Sequence, residues 1–176
     1  MLAAVIATHE SERRLVPTLS ALVPGAVTGL VSDVVVADAG SSDATREVAD
    51  FAGCRFVTTP GGLGERLKTA AASTRAPWLL FLRAGTVPEP SWITAVERFI
   101  DDTRGRPRAA AFRAEPARGF RVFLRLMRPR PEQGLLVARS HYEALGGHRA
   151  GPKAEIDLMR RAGRIVLLPA RAAPPR

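Results

Sequence analysis

The chain has 176 residues, 46% of them hydrophobic, which is one domain by length and enough apolar material for a real core. No run of about twenty apolar residues is present, which excludes a transmembrane helix, and the single cysteine, Cys54, excludes an internal disulfide framework and a cysteine-based zinc site. The formal charge of +9 is carried by arginine, Lys68 and Lys153 being the only lysines; such an excess favours phosphate-bearing ligands, and an Ala- and Arg-rich composition equally fits a GC-rich bacterial genome.

Met1 to Ala7 lacks the basic flank of a signal peptide, and Leu2 to Thr8 reads as a short apolar strand, so the expectation is a cytoplasmic protein, free or peripheral to a membrane. Glu12 to Leu22 is a helix with Leu15, Leu19 and Leu22 on one face and Pro24-Gly25 as its stop. Val34-Val35-Val36 is a β-branched run that reaches a carboxylate at Asp38, turns through Gly40 and Ser41, and enters a helix at Thr45 with Ser42 or Asp43 as N-cap. That helix runs to Ala52, followed by a strand at Arg55–Thr58, a glycine loop at Pro60–Gly64 and an Ala-rich helix from Glu65 to Thr74. Trp78–Leu82 is the fourth strand, and Pro90-Ser91-Trp92 opens a helix through Ile100. The alternation βαβαβαβ predicts an α/β domain with a mainly parallel sheet, right-handed crossovers and a ligand cleft at the carboxyl edge that carries Asp38.

From Arg104 to Arg130 there are nine arginines against the single acid Glu115. The stacking aromatics that would point to nucleic acid are sparse there, so nucleic acid is not the expected partner. Within this segment, Phe120, Phe123, Leu124 and Met127 form an apolar stripe edged by Arg121, Arg125 and Arg128. The stripe fits a core helix, or a helix making weak contact with an anionic membrane. Beyond it, Leu135–Val137 is a strand, Gly146-Gly147 ends a helix, Ala154–Arg161 is a helix with Glu155 and Asp157 in its first turn, and Gly163–Pro169 is the last strand.

The segment Asp38-Ala39-Gly40-Ser41-Ser42-Asp43 resembles the nucleotide-sugar-binding loop of family 2 glycosyltransferases, inverting enzymes of GT-A fold. The order of Ala7-Thr8-His9-Glu10-Ser11, Asp38, the glycine loop and Leu80-Phe81-Leu82 is similar to the family's amino-terminal half. Glu132-Gln133-Gly134 and Tyr142-Glu143-Ala144-Leu145-Gly146-Gly147-His148 resemble the acceptor-side segment of a small bacterial subgroup that has Asp-Gln-Gly and Phe-Glu-x-Leu-Gly-Gly-Phe there. The resemblance implies a single GT-A domain over residues 1–176: a nucleotide-binding half at 1–100, a shortened basic segment at 101–131 and an acceptor-side half at 132–176. It implies a nucleotide-sugar donor, contacted at Thr8, Asp38, Gly40, Arg66 and Arg83, with Asp38 on the base. Gln133 would lie on the side of an unknown acceptor.

The sequence departs from the family where the chemistry sits. The family ends its fourth strand with Asp-x-Asp, or His-Ala-Asp-Thr in the subgroup, to hold a divalent ion; here the residues are Arg83-Ala84-Gly85-Thr86, so no metal cofactor is expected. Arg83 then has two readings, a cation that serves the diphosphate directly or a surface residue at a decayed site. Ala154-Glu155-Ile156-Asp157 falls where the family has Glu-Asp-x-Glu, which makes Glu155 the candidate general base and Asp157 the second candidate. Two functions remain open: a metal-independent glycosyltransferase, or an inactive nucleotide- or glycan-binding relative. Asp38, Arg83 and Glu155 are expected to converge on one cleft.

Overall fold

An apolar run without alternation, such as Leu2-Ala3-Ala4-Val5-Ile6-Ala7-Thr8, belongs in the middle of a sheet covered on both faces. The computed structural model, which describes residues 1–103, 109–114 and 129–175, places it there. Strand β1 (Leu2–Thr8) pairs in parallel with β2 (Val31–Asp38) on one side and β4 (Trp78–Arg83) on the other, and β3 (Arg55–Thr58) adds to β2. The connecting helices are α1 (Glu12–Val27), α2 (Thr45–Phe51) and α3 (Leu63–Ala72).

The second half continues the same sheet. After β5 (Val87–Pro88) and α4 (Trp92–Thr103), strand β6 (Ala109–Ala114) leads towards a 3-10 turn at Pro131–Gln133 and β7 (Leu135–Ala138). Helices α5 (Arg139–Ala144) and α6 (Ala154–Arg161) precede β8 (Ile165–Ala173). The strand order is β3-β2-β1-β4-β7-β6-β8-β5, and four of the seven pairings are parallel. The expected α/β architecture with a mainly parallel sheet is therefore observed, with β7 entering antiparallel between β4 and β6.

Alternate residues of each strand feed two cores. Leu2, Ala4, Ile6, Val36, Leu80 and Leu82 meet Leu15 and Leu22 of α1 and Trp92 and Phe99 of α4. Ala3, Val5, Ala37, Leu79 and Phe81 meet Leu67 of α3, Tyr142 of α5 and Leu158 of α6.

Three expectations are corrected. Helix α1 does not stop at Pro24-Gly25 but continues to Val27. Gly25 lies under the indole of Trp92, where a Cβ would come within 2.7 Å of the ring, and Trp92 Nε1 donates to the Ala21 carbonyl at 3.1 Å. Tertiary packing thus carries the helix past its proline. Strands β5 and β6 were not anticipated, and β8 runs beyond Pro169 to Ala173 because it has β6 and β5 as neighbours. The helix expected over Phe120–Arg128, with the membrane contact attached to it, lies outside the described residues. Among the described residues no helix is long and apolar enough to cross a membrane.

Candidate active site

The carboxyl ends of β1, β2 and β4 lie side by side, with Thr8 paired to Asp38 and Ala7 paired to Arg83. Asp38 is 1% exposed. Its Oδ1 accepts the Thr8 hydroxyl at 2.7 Å and the Ser41 hydroxyl at 2.6 Å, while Oδ2 accepts the Gly40 amide at 2.8 Å and the Ser41 amide at 2.7 Å. Burial alone would raise the pKa of this carboxyl; the Ser41 hydroxyl and amide, the Thr8 hydroxyl and the Gly40 amide outweigh it and hold the group below the ordinary aspartate range. Gly40 sits at φ 87°, which lets the loop fold back so that its amides reach the carboxylate.

A second carboxylate laces this loop to the one after β1. Glu10 has φ 45°, the left-handed region that favours glycine. From there its Oε1 accepts the Ser42 amide at 2.7 Å, and its own amide donates to Ser41 Oγ at 2.8 Å. Asp43 accepts the Glu12 amide at 3.0 Å and the Thr45 amide at 3.1 Å. The N-cap position of α2 is Ala44 rather than the expected Ser42 or Asp43, and Asp43 takes the Thr45 amide from one residue further out.

Across the sheet edge, at the start of α3, the Gly62 amide donates to Glu65 Oε2 at 3.0 Å and Arg66 Nη1 donates to the Gly61 carbonyl at 3.3 Å. Two polar atoms in this neighbourhood of the chain are buried with no protein partner: Arg66 Nε and Thr59 Oγ1. Buried polar groups are ordinarily satisfied, by protein or by water. Thr59 was not singled out in the sequence.

Arg83 forms the charged centre. Its Nε donates to Glu155 Oε1 at 3.2 Å and Oε2 at 3.0 Å, its Nη2 also donates to Glu155 Oε2, and its Nη1 donates to Glu132 Oε1 at 3.1 Å. The hydrogen bonds to Glu155 raise the guanidinium pKa against the opposing effect of burial, with the charges of Glu155 and Glu132 adding to them. Helix α6 brings Glu155 here because Leu158 and Met159 of the same helix are buried against the core. Glu132, in the motif that resembles Asp-Gln-Gly, is a site residue that motif matching passed over in favour of its neighbour. Gln133 is turned inward: its Nε2 donates to the Phe112 carbonyl at 2.6 Å, and its Oε1 accepts the Arg130 amide at 2.9 Å. Asp157 is held by Arg161 Nε at 2.8 Å. This hydrogen bond keeps its pKa below the ordinary range.

Arg83 and Glu155 therefore converge, as expected, and Asp38 does not join them. Paired residues on neighbouring strands share a face and successive residues alternate. Asp38 shares its face with Thr8, on the side of α1 and α2, whereas Arg83 shares its face with Ala7, on the side of α3 and α6. The two stand at one sheet edge on opposite faces, which corrects the single-cleft expectation.

At the place of the family's metal, a guanidinium stands where one carboxylate would be, and the other position is Gly85. Gly85 lies at φ 93°, and a Cβ there would come within 3.0 Å of Pro175 Cα. Among the described residues no three His, Cys, Asp or Glu are grouped to hold an ion. The donor set does not fit a divalent cation.

Behind Glu155 is a pair that the motifs did not point to. Tyr142 Oη lies 3.0 Å from His148 Nδ1 and accepts the His148 amide at 3.2 Å. The imidazole packs edge to face on Phe81, 4.7 Å between centroids. Both rings are buried. Burial first, and then Arg161, push the His148 pKa down to about 4.

A mainly parallel sheet whose second strand ends in an Asp-x-Gly-Ser loop laced to the loop after the first is an architecture of GT-A type. The family model for Glycosyl transferase family 2 matches residues 3–124, and the chain belongs to that family. A search of curated proteins found no match. Among solved structures, S. aureus TarS 1-349 in complex with UDP-GlcNAc superposes with a TM-score of 0.78 at 14% identity, over 99% of this chain and 58% of that one. Glucosyl-3-phosphoglycerate synthase from Mycobacterium tuberculosis, in complex with Mn2+, UDP and glucosyl-3-phosphoglycerate, superposes with a TM-score of 0.72 at 21% identity, over 95% of this chain and 68% of that one. At these identities the likeness is one of fold, and the chain spans less than two thirds of the first of these proteins.

Proposed function

We propose that this chain transfers a sugar from a uridine diphosphate sugar to an acceptor hydroxyl, with inversion and without a bound divalent ion. The observation that carries the proposal is the family 2 match over residues 3–124, on a fold shared with a UDP-GlcNAc complex and a UDP complex. The nucleotide lies along the edge formed by Thr8, Asp38, Gly40 and Arg66, where the orphaned Arg66 Nε supplies an unmet donor.

In the transfer, the acceptor oxygen attacks the anomeric carbon as the bond to the diphosphate breaks. Glu155 removes the acceptor proton, and the departing diphosphate takes up negative charge. Arg83 serves both ends. Its Nε and Nη2 fix the Glu155 carboxylate, and its Nη1 is held by Glu132, whose side chain is 41% exposed. That outer arm is the one a diphosphate can recruit, as a charge-assisted donor in place of an ion.

The test is calorimetric binding and turnover of a panel of UDP-sugars, in EDTA and in manganese. Binding and slow hydrolysis that survive EDTA support the proposal. Strict manganese dependence removes Arg83 from the mechanism, and binding without turnover across a broad acceptor panel assigns the chain to non-catalytic nucleotide-sugar binding.

A further inference from the structure

Beneath Glu155 lies a cavity of about 10 Å³, lined by Phe81, Pro131, Leu135, His148, Glu155 and Met159. That is the room one water requires. Its walls are apolar except for the Glu155 carboxylate and the His148 ring. Tyr142 Oη accepts the His148 amide and lies 3.0 Å from Nδ1, so its own hydrogen has Nδ1 as an acceptor. Nδ1 is then an acceptor, and the neutral ring carries its proton on Nε2. With Nδ1 turned to Tyr142, the Nε2 side of the ring is the one that faces the cavity.

We infer that His148 is a positioning residue for Glu155: its Nε2–H holds a single water in this cavity, and that water donates to the Glu155 carboxylate from the side opposite Arg83. The inference rests on the reading of Glu155 as general base. The carboxylate is gripped by Arg83 on its outer side. A donor on its inner side fixes the second direction and so the orientation of the carboxylate towards the acceptor. The groups around the imidazole fit this role. Arg161 and Asp157 on α6 pair with each other, Tyr142 on α5 meets Nδ1, and Phe81 on β4 offers an aromatic face. With its pKa near 4, the ring stays neutral through the working range.

Two measurements need no substrate. A long-range proton-nitrogen NMR spectrum of the wild-type chain reads the tautomer, and a crystal structure reads the cavity. An Nε2–H tautomer and a water within hydrogen-bonding distance of both His148 Nε2 and a Glu155 oxygen support the inference; an Nδ1–H tautomer or a dry cavity overturns it. If turnover is found, kcat falls by about tenfold in His148→Phe while KM for the donor holds, and His148→Gln recovers part of the loss because its amide restores a donor. An unchanged kcat in a folded His148→Phe protein also overturns the inference. Because the tautomer and the water are read without donor or acceptor, an absence of sugar transfer would count against the proposed activity and leave both of these readouts in force.

Discussion

Replacing Arg83 by alanine strips a shared cation from two carboxylates at once. Side-chain exposure is 36% for Arg83, 11% for Glu155 and 41% for Glu132. Breaking a fully buried ion pair costs about 3–5 kcal/mol and an exposed one about 0–1. The Glu155 arm lies nearer the buried limit; discounted for the solvent that reaches Arg83, it comes to about 2 kcal/mol, and the Glu132 arm adds about 0.5. For a chain of this size that lowers Tm by about 5–10 °C. Thermal and urea unfolding of Arg83→Ala, Glu155→Gln and the double variant at pH 7.5 give the coupling, expected at about 1–2 kcal/mol. The same cycle with Glu132→Gln should give less than about 0.5. An Arg83→Ala protein that melts within about 1 °C of wild type, with no coupling to Glu155, refutes the claim that this pair organises the site.

Asp38→Ala leaves the Thr8 hydroxyl and two loop amides without their acceptor and should cost about 1–3 kcal/mol in urea unfolding. Since the folded-state pKa of Asp38 is lowered, its contribution is complete above the ordinary aspartate value and disappears as pH falls through the folded value, an acid limb that Asp38→Asn lacks. His148 is depressed to about 4. The unfolded chain therefore binds the proton first, and wild-type stability should fall from about pH 6.5 towards 4, a slope that His148→Phe flattens in a melting series. Gly25→Ala should destabilise by about 1–3 kcal/mol despite alanine's better helix propensity, because its Cβ meets Trp92; a neutral or stabilised melt would show that the indole moves aside.

The parallel half was legible because each of its inner strands is buried on both faces and so reads as an unbroken apolar run, with glycine and serine marking the turns. Strand β6 was not: Ala109-Ala110-Ala111-Phe112-Arg113-Ala114 has no strand character of its own, and only pairing with β7 and β8 extends it. Val87-Pro88 is too short to carry any period. At the site, motif order brought out Arg83 and Glu155, but not their grip on each other, which joins residues 72 apart in sequence. The parity that sends Asp38 and Arg83 to opposite faces depends on inter-strand register, which the sequence of any one strand does not contain. Gln133, a polar residue in a recognisable motif, ties backbone to backbone, while the acid beside it meets Arg83.

The contact of Pro175 with Gly85 bears on any attempt to engineer a manganese site into this cleft. An aspartate at 85 enters a backbone conformation unfavourable to any side chain, and its first carbon crowds Pro175 at 3.0 Å. An aspartate at 83 meets Glu155 and Glu132, both already negative. Positions 83, 85 and 175 consequently behave as one design unit: the double substitution at 83 and 85 should fail to bind manganese in a protein that keeps its tail in place. Moving Pro175 away from Gly85 is the precondition for any gain.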